Sequence, residues 1–456
     1  MAMLVLRRRL VLVLRPVALV VALCLFGLSP ALAIDIQRVV SDKGIEAWLV
    51  EDHRVPVVSL QMAFRGGTAT DPVGKEGLSQ MVAALLDEGA GNLESQAFQR
   101  RLEDYAIRLG FSAATDSFGA NFTTLTEHRA VAFDMLRLAL IAPRFDQGPR
   151  ERVASQMLSA IKAGAENPRR IGTELWYRVM YPDHPYGRPA QGTARSVGRI
   201  EKHDLETYVR QRFGRDRMFV AVVGDITAAD LRPLLDIAFS GLPAKTEPIA
   251  VPKVAAAAKG DVYVVQKNIP QSVVTFGHGG IARQDPDYYV AYVLNNILGG
   301  GGLTSRLMEE ARDKRGLVYS IYSSLVPYDD SAVISGGAAT RNERVADTIE
   351  IVRKEWARLR DEGVTADELA DAKTFLTGSF LTQISSSGRM ASLLLGIQLE
   401  ELGIDYIDQR NKYIESVTAD DIRRVAQRLL EPGKLSFVVV GAPQGIEPTA
   451  QAPEDD

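Results

Sequence analysis

Apolar positions in this chain recur at two periods, and the switches between them mark out its elements. Two apolar runs, Ile36 to Ser41 and Ile45 to Val50, flank Asp42-Lys43-Gly44, which predicts a hairpin, and Val57 to Phe64 predicts a third strand. Helical spacing then takes over: Leu78, Met81, Val82, Leu85 and Leu86 fall on one face of a helix over Gly77 to Glu88. A second helix fits Glu94 to Leu109, and Phe111 to Thr124 alternates as paired strands. Helices follow at Arg129 to Ile141 and Pro149 to Ala165, the latter stopped by Asn167-Pro168. After a helix at Asp204 to Phe213, the unbroken apolar run Met218 to Val223 predicts a buried strand closed by Gly224-Asp225.

Ala244 to Gly260 is rich in Ala, Pro and Lys without any amphipathic period, and reads as an interdomain linker. The pattern then restarts with strands at Val262 to Gln266 and Ser272 to Gly277 and a helix at Tyr288 to Leu298. It also repeats. The stretch from Ser196 aligns without a gap to the stretch from Tyr413, so that Leu205 meets Ile422, Val223 meets Val440 and Gly224 meets Gly441. A repeat this long is a duplicated domain rather than a solenoid unit. The expected fold is therefore α+β, with two homologous domains at 34–243 and 261–443, each a mainly antiparallel sheet with helices on one face. The linker spans 244–260, and the polar tail 444–456 reads as disordered.

One stretch of the second domain carries candidate chemistry. Gly299, Gly300, Gly301 and Gly302 end an element, and Thr304 or Ser305 is placed to cap a new helix with Leu303, Leu307, Met308 and Ala311 on its apolar face. Gly316 is a stop signal, and Leu317 to Ser323 reads as a strand. Arg312 thus lies in a last helical turn and Tyr319 seven positions on, across a tight corner. Both are donors suited to a peptide carbonyl or its oxyanion. Taken by themselves these residues more often have a structural role, with Arg312 paired to a carboxylate and Tyr319 packed in the core. The glycines lack a following Lys, which argues against a phosphate loop and for a hinge or close backbone approach.

At 456 residues the chain suits two or three domains, and its 46 % apolar and 24 % charged composition is that of an ordinary soluble globular protein. Arg7, Arg8, Arg9 and Arg15, the apolar core Val17 to Leu28 and the small-residue Ala31-Leu32-Ala33 read as a secretory signal over 1–33. Its removal takes the formal charge from −4 to −8, because four arginines and no acid lie there. A mildly acidic body argues against nucleic acid as a partner. The signal's 12 apolar residues fall short of the ~20 a span needs, so the expected location is the bacterial periplasm, with a membrane tether only if the signal is retained uncleaved. The single cysteine, Cys24, lies inside the signal, so no disulfide or thiolate metal site is expected.

The Arg312–Tyr319 spacing and its surroundings resemble the second-domain signature of the pitrilysin/insulinase-like zinc peptidases, in their small-subunit processing-peptidase branch. The resemblance runs from about Ile36 to Ala442. It implies that Arg312 and Tyr319 bind the substrate carbonyl, that the glycine run contacts substrate, and that the two domains form half of a clamshell.

The same resemblance exposes a gap. The family's first domain carries H-x-x-E-H, two His one helical turn apart on zinc with a Glu as base, and a later helix supplies a third ligand, a Glu. Here Gln80 stands at the first His, Ala83 at the Glu, Ala84 at the second His and Ala160 at the third ligand. Independently of that alignment, the five His (His53, His128, His184, His203 and His278) never lie closer than 19 positions, so no helix offers a pair. No metal is expected in this chain. The resemblance implies the non-catalytic subunit of a heteromeric zinc peptidase acting on peptides or unfolded proteins. Such a chain is inactive alone and lends Arg312 and Tyr319 to a homologous partner with intact H-x-x-E-H, whose site holds the zinc. A catalytically silent peptide-binding or assembly protein of the same fold is the alternative.

Overall fold

In the computed structural model, which describes residues 34–247 and 249–453, two sheets carry the fold. The signal read over 1–33 and the last tail residues, 454–456, lie outside the described residues. The first sheet takes β1 (Gln37–Val40), β2 (Glu46–Glu51), β3 (Val57–Arg65), β6 (Arg108–Ala113), β7 (Ser117–Leu125) and β8 (Met218–Gly224), with β4 (Gly89–Ala90) and β5 (Leu93–Glu94) forming a small separate hairpin. Its order is β1-β2-β8-β3-β7-β6, antiparallel except where β2 runs parallel to β8. The second takes β9 (Val262–Gln266), β10 (Gln271–Gly279), β11 (Val318–Pro327), β12 (Ala332–Arg341) and β13 (Ser436–Gly441), in the order β11-β12-β10-β13-β9, with β9 parallel to β13.

The first half's helices are α1 (Leu78–Ala83), α2 (Ser95–Asp104), α3 (Arg129–Ile141), α4 (Gln147–Gly164), α5 (Pro168–Met180), α6 (Ala194–Val197), α7 (Lys202–Arg212) and α8 (Ala228–Phe239). The second half has α9 (Tyr288–Asn295), α10 (Val345–Glu362), α11 (Ala366–Gln383), α12 (Ser387–Leu399), α13 (Tyr406–Glu415) and α14 (Ala419–Leu429). The duplication read from sequence is an equivalence of structure: α7 and β8 recur as α14 and β13. Gly224 and Gly441 close the paired strands at φ 143° and 158°, each where a Cβ would strike the neighbouring strand, at Val57 and Ser272 respectively.

Period-two alternation in β13 explains how the halves join. Phe437 and Val439 face a core built with α9, α10 and α14, while Val438 and Val440 face a different cluster built on Leu175, Trp176 and Met180 of α5. A first-half helix thus covers the back of the second sheet, and Trp176 donates its indole N–H to the Ser436 carbonyl at 3.3 Å. The exchange is reciprocal. Helix α12 packs on β8 and β3 of the first sheet, where Gln398 donates to the Val220 carbonyl at 3.1 Å. Each sheet therefore has its own helices on one face and a single borrowed helix on the other.

Several boundaries differ from the sequence reading. Helix α1 stops at Ala83, short of Glu88, because Leu85 and Leu86 bond back to Val82 in a tight turn. Helix α2 ends at Asp104 rather than Leu109, as Ala106 turns left-handed at φ 49° and releases the chain into β6. Asn167-Pro168, read as a stop, also starts α5: the Asn167 side chain accepts the amides of Arg169 and Arg170, and Pro168 takes the first turn. The linker is irregular but packed, with Ala257 donating to Met180 and Val254 to Asp330. The tail read as disordered carries specific bonds over its described part, Thr449 pairing with Val262 beside β9.

Candidate substrate-binding site

Two π-turns bracket the glycine run. Helix α9 loosens into Asn296–Gly300, and after a 3-10 turn at Gly302–Thr304 the chain winds again through Met308–Asp313. Such turns recur at functional sites, where the widened helix re-aims side chains. Gly299 is demanded by packing, since a Cβ there would lie 2.6 Å from the Ser323 amide and 2.9 Å from Leu307. Gly302 is demanded by its φ of 63°, and with Leu303 beside it forms the exposed tip. Thr304 and Ser305 do not cap the following helix as expected. Their hydroxyls donate back to the carbonyls of Gly301 and Gly302 and tie the loop to itself.

The corner after the second π-turn is closed by Gly316 at φ 60°, with the amides of Gly316 and Leu317 bonded to the carbonyls of Arg312 and Ala311. Strand β11 then starts with a bulge between Val318 and Ile321, where it carries one residue more than β12 opposite. The bulge holds Tyr319 and turns its ring outward to 85 % exposure. It brings the Arg312 guanidinium over that ring, 5.6 Å from the centroid. Tyr319 is therefore not a core residue.

Charge partners decide which donors are available. Arg306, buried, is held by both Glu368 oxygens at 2.6 and 2.8 Å, while Lys314 and Arg315 are held by Glu310. Burial works against the Glu368 carboxylate, but its hydrogen bonds from Arg306 win and hold it down at about 2. Among the described residues Arg312 has no carboxylate partner, and neither its guanidinium nor the Tyr319 hydroxyl has a hydrogen bond. Two donors thus stand side by side and unspent at a strand edge.

The four positions matching the family's metal site are distributed differently. Gln80, on α1, is half-buried and spends its amide on the Ala113 carbonyl at 2.8 Å, tying α1 to β6. Ala83 is buried, while Ala84 and Ala160 are exposed. Alanines offer no donor atom and the glutamine is engaged, so these residues do not fit a zinc ion. Among the described residues no group of three or more His, Cys, Asp or Glu is gathered for a metal. Two neighbours were not legible in sequence. Asp71 anchors the start of α1 by accepting the Gly77 and Ser79 amides and the Ser79 hydroxyl, and burial pushes its carboxyl up to about 6. Arg170 of α5 donates to the Ala160 carbonyl at 3.2 Å, so a guanidinium lies beside the position where the family has a carboxylate.

Comparison with known proteins follows this division. Residues 199–376 match the family described as the peptidase M16 inactive domain. The chain is 29 % identical over 334 residues to the non-peptidase homologue YmxG of Helicobacter pylori, covering 72 % of this chain and 76 % of that one. It is 30 % identical over 283 residues to an uncharacterised zinc protease of Streptomyces coelicolor, spanning 60 % of this chain and 61 % of the relative. A crystal structure of a peptidase M16 inactive domain from Pseudomonas fluorescens superposes with a TM-score of 0.83 at 25 % identity, covering 92 % of this chain and all of that one. Over residues 199–376 the chain is thus similar to the peptidase M16 inactive domain, and its mixed sheets and borrowed helices give an α+β body with the fold of that Pseudomonas fluorescens structure.

Proposed function

We propose that this chain is the non-catalytic subunit of a two-chain M16 peptidase, exported to the periplasm, where it orients peptide for a partner that carries the H-x-x-E-H site and its zinc. One observation carries the reading: Arg312 and Tyr319 keep their donors free at the β11 bulge, while every other cation of that segment is spent on a carboxylate. A structural pair would be satisfied within the fold. An oxyanion or carbonyl clamp needs donors that stay unsatisfied until substrate arrives, fixed in position so that no reorganisation is needed. Gly302 and Leu303 form the loop beside this clamp and are the part of the glycine run available to touch substrate.

The test is reconstitution. The chain, a homologous chain with intact H-x-x-E-H, and their mixture are assayed for zinc and for cleavage of an unfolded polypeptide. Zinc should follow the partner, and cleavage should appear in the mixture. Arg312→Ala should lower turnover on the order of 10²-fold, the cost typical of one lost oxyanion donor. A mixture that cleaves normally with Arg312→Ala would refute the assignment. A mixture that binds peptide without cleaving it would favour the silent peptide-binding protein.

A further inference from the structure

Beside the degenerate metal positions lies a cavity of about 530 Å³, within the size range of small-ligand sites. Its wall is built on one face of α5 from Asn167 to Arg178 and on the loop through Arg188. Four arginines line it, Arg169, Arg170, Arg178 and Arg188, and Glu174 is the one acidic side chain among its described lining residues. Glu174 pairs with Arg170 at 2.7 Å. Arg169 is exposed and has no carboxylate partner among the described residues. Arg188 donates to the Asp71 carbonyl at 3.2 Å and likewise forms no ion pair among them. The positive end of α5, capped by Asn167, opens on the same wall. The chain as a whole carries −4, so this concave positive site runs against its average charge and would focus an anion.

One strand runs between the cavity and the Arg312–Tyr319 clamp. Tyr328, on its rim, follows directly on the end of β11, the strand that Tyr319 opens. Nine strand steps separate the two tyrosines, about 30 Å at ~3.3 Å per step. One extended peptide could reach both.

We propose that this arginine-lined cavity receives a carboxylate of an extended peptide, distant in sequence from the bond presented at Arg312 and Tyr319. The inference rests on the reading of the chain as a peptide-handling subunit and names the substrate class of that subunit: peptides bearing an acidic group. Guanidinium forks grip carboxylates by paired, charge-assisted hydrogen bonds. The carboxylate could be a Glu or Asp side chain or the peptide's own C-terminus, and both present the same chemistry.

The test is fluorescence anisotropy on the purified chain with labelled, unstructured peptides of about twelve residues, long enough to span roughly 40 Å when extended. One peptide carries a single Glu and a free C-terminus. The others replace Glu by Gln, amidate the C-terminus, or do both. The doubly neutral peptide should bind on the order of tenfold more weakly than the acidic one, as expected for loss of a charge-assisted contact. Arg169→Glu should erase that difference, and Arg188→Gln, a second variant in case the first is misfolded, should reduce it. Arg232→Glu, the same charge change on the exposed face of α8, should leave it intact. Whichever single neutralisation weakens binding identifies the side chain or the C-terminus as the group held. Equal binding of acidic and neutral peptides, equal effects of Arg232→Glu and Arg169→Glu, or no binding of any peptide would each overturn the proposal. Cleavage by the two-chain mixture is read separately, so a cavity that ignores charge leaves the clamp assignment standing.

Discussion

Arg312 owes its freedom to its neighbours. Arg306, Lys314 and Arg315 each have a carboxylate on the adjoining elements, and Glu310 is already shared between two of them. At residue scale this separates donors that build the fold from donors that do not. Arg306→Ala should cost about 3 kcal/mol, since it leaves Glu368 without its partner in a mostly buried pocket. Arg312→Ala and Tyr319→Phe should each change stability by less than ~0.5 kcal/mol, because neither touches the core. Urea denaturation of the three variants distinguishes them, and a large loss at Tyr319 would return it to a structural role. The degenerate metal site has its own test. A Glu placed at 160 meets the guanidinium of Arg170 within reach and would pair with it. Gln80→His, Ala83→Glu, Ala84→His and Ala160→Glu together should therefore bind zinc weakly by calorimetry, and adding Arg170→Ala should tighten it. Both sites were partly legible in sequence for a local reason: Arg312 and Tyr319 are close in the chain, and the missing ligands are a matter of identity alone. Arg170 was not legible, because its contact with Ala160 depends on how α5 folds back on α4.

At the scale of elements, the borrowed helices bind the two halves into one body. Trp176 is wholly buried on the second sheet, edge-on to Tyr177, and hydrogen-bonded to Ser436. Trp176→Ala should cost about 4 kcal/mol, the usual penalty for emptying so large a site. Calorimetry should show the second half melting with the first rather than after it, because the lost contact belongs to both. Separate transitions in the parent protein would contradict this. Sequence carried the premise and missed the agent. The unbroken apolar runs in β8 and β13 say that both faces are covered, but nothing local says that the cover comes from the other half. Asn167-Pro168 marked an end and a beginning together, and a stop signal alone does not distinguish them. The helices at 77–88, 94–109, 129–141, 149–165 and 204–213, by contrast, followed from periodicity, whereas α5, α6 and α8 were not read from it.

For the whole molecule, the seam between halves is where pH should act. Asp116, just before β7, accepts the Tyr186 hydroxyl at 2.9 Å and the Asp329 amide at 3.1 Å from the turn after β11. Its carboxyl also faces the charges of Asp329 and Asp330, while Arg65 is turned to Asp329, Glu401 and the Leu399 carbonyl. Burial, with those two acids adding to it, pushes Asp116 up to about 6 from an ordinary value of 3.8. A carboxyl raised in the folded state favours folding when protonated, so its contribution is full below pH 3.8 and is lost as pH rises through about 6. Asp71 is raised to the same value by burial and acts with the same sign. Glu368 works in the opposite sense and in another window, since its contribution is lost as pH falls from 4.5 through about 2. Thermal unfolding between pH 4 and 7 should therefore show a decline as pH rises. Asp116→Asn, neutral throughout, should flatten that decline without abolishing it, because Asp71 remains. The variant should also start lower at pH 4, since an amide cannot accept from both Tyr186 and the Asp329 amide. Parallel pH profiles for parent and Asp116→Asn would show that the seam does not titrate. If the slope does change, Asp116 carries part of the pH dependence of stability at the seam between the halves, with Asp71 carrying a further part.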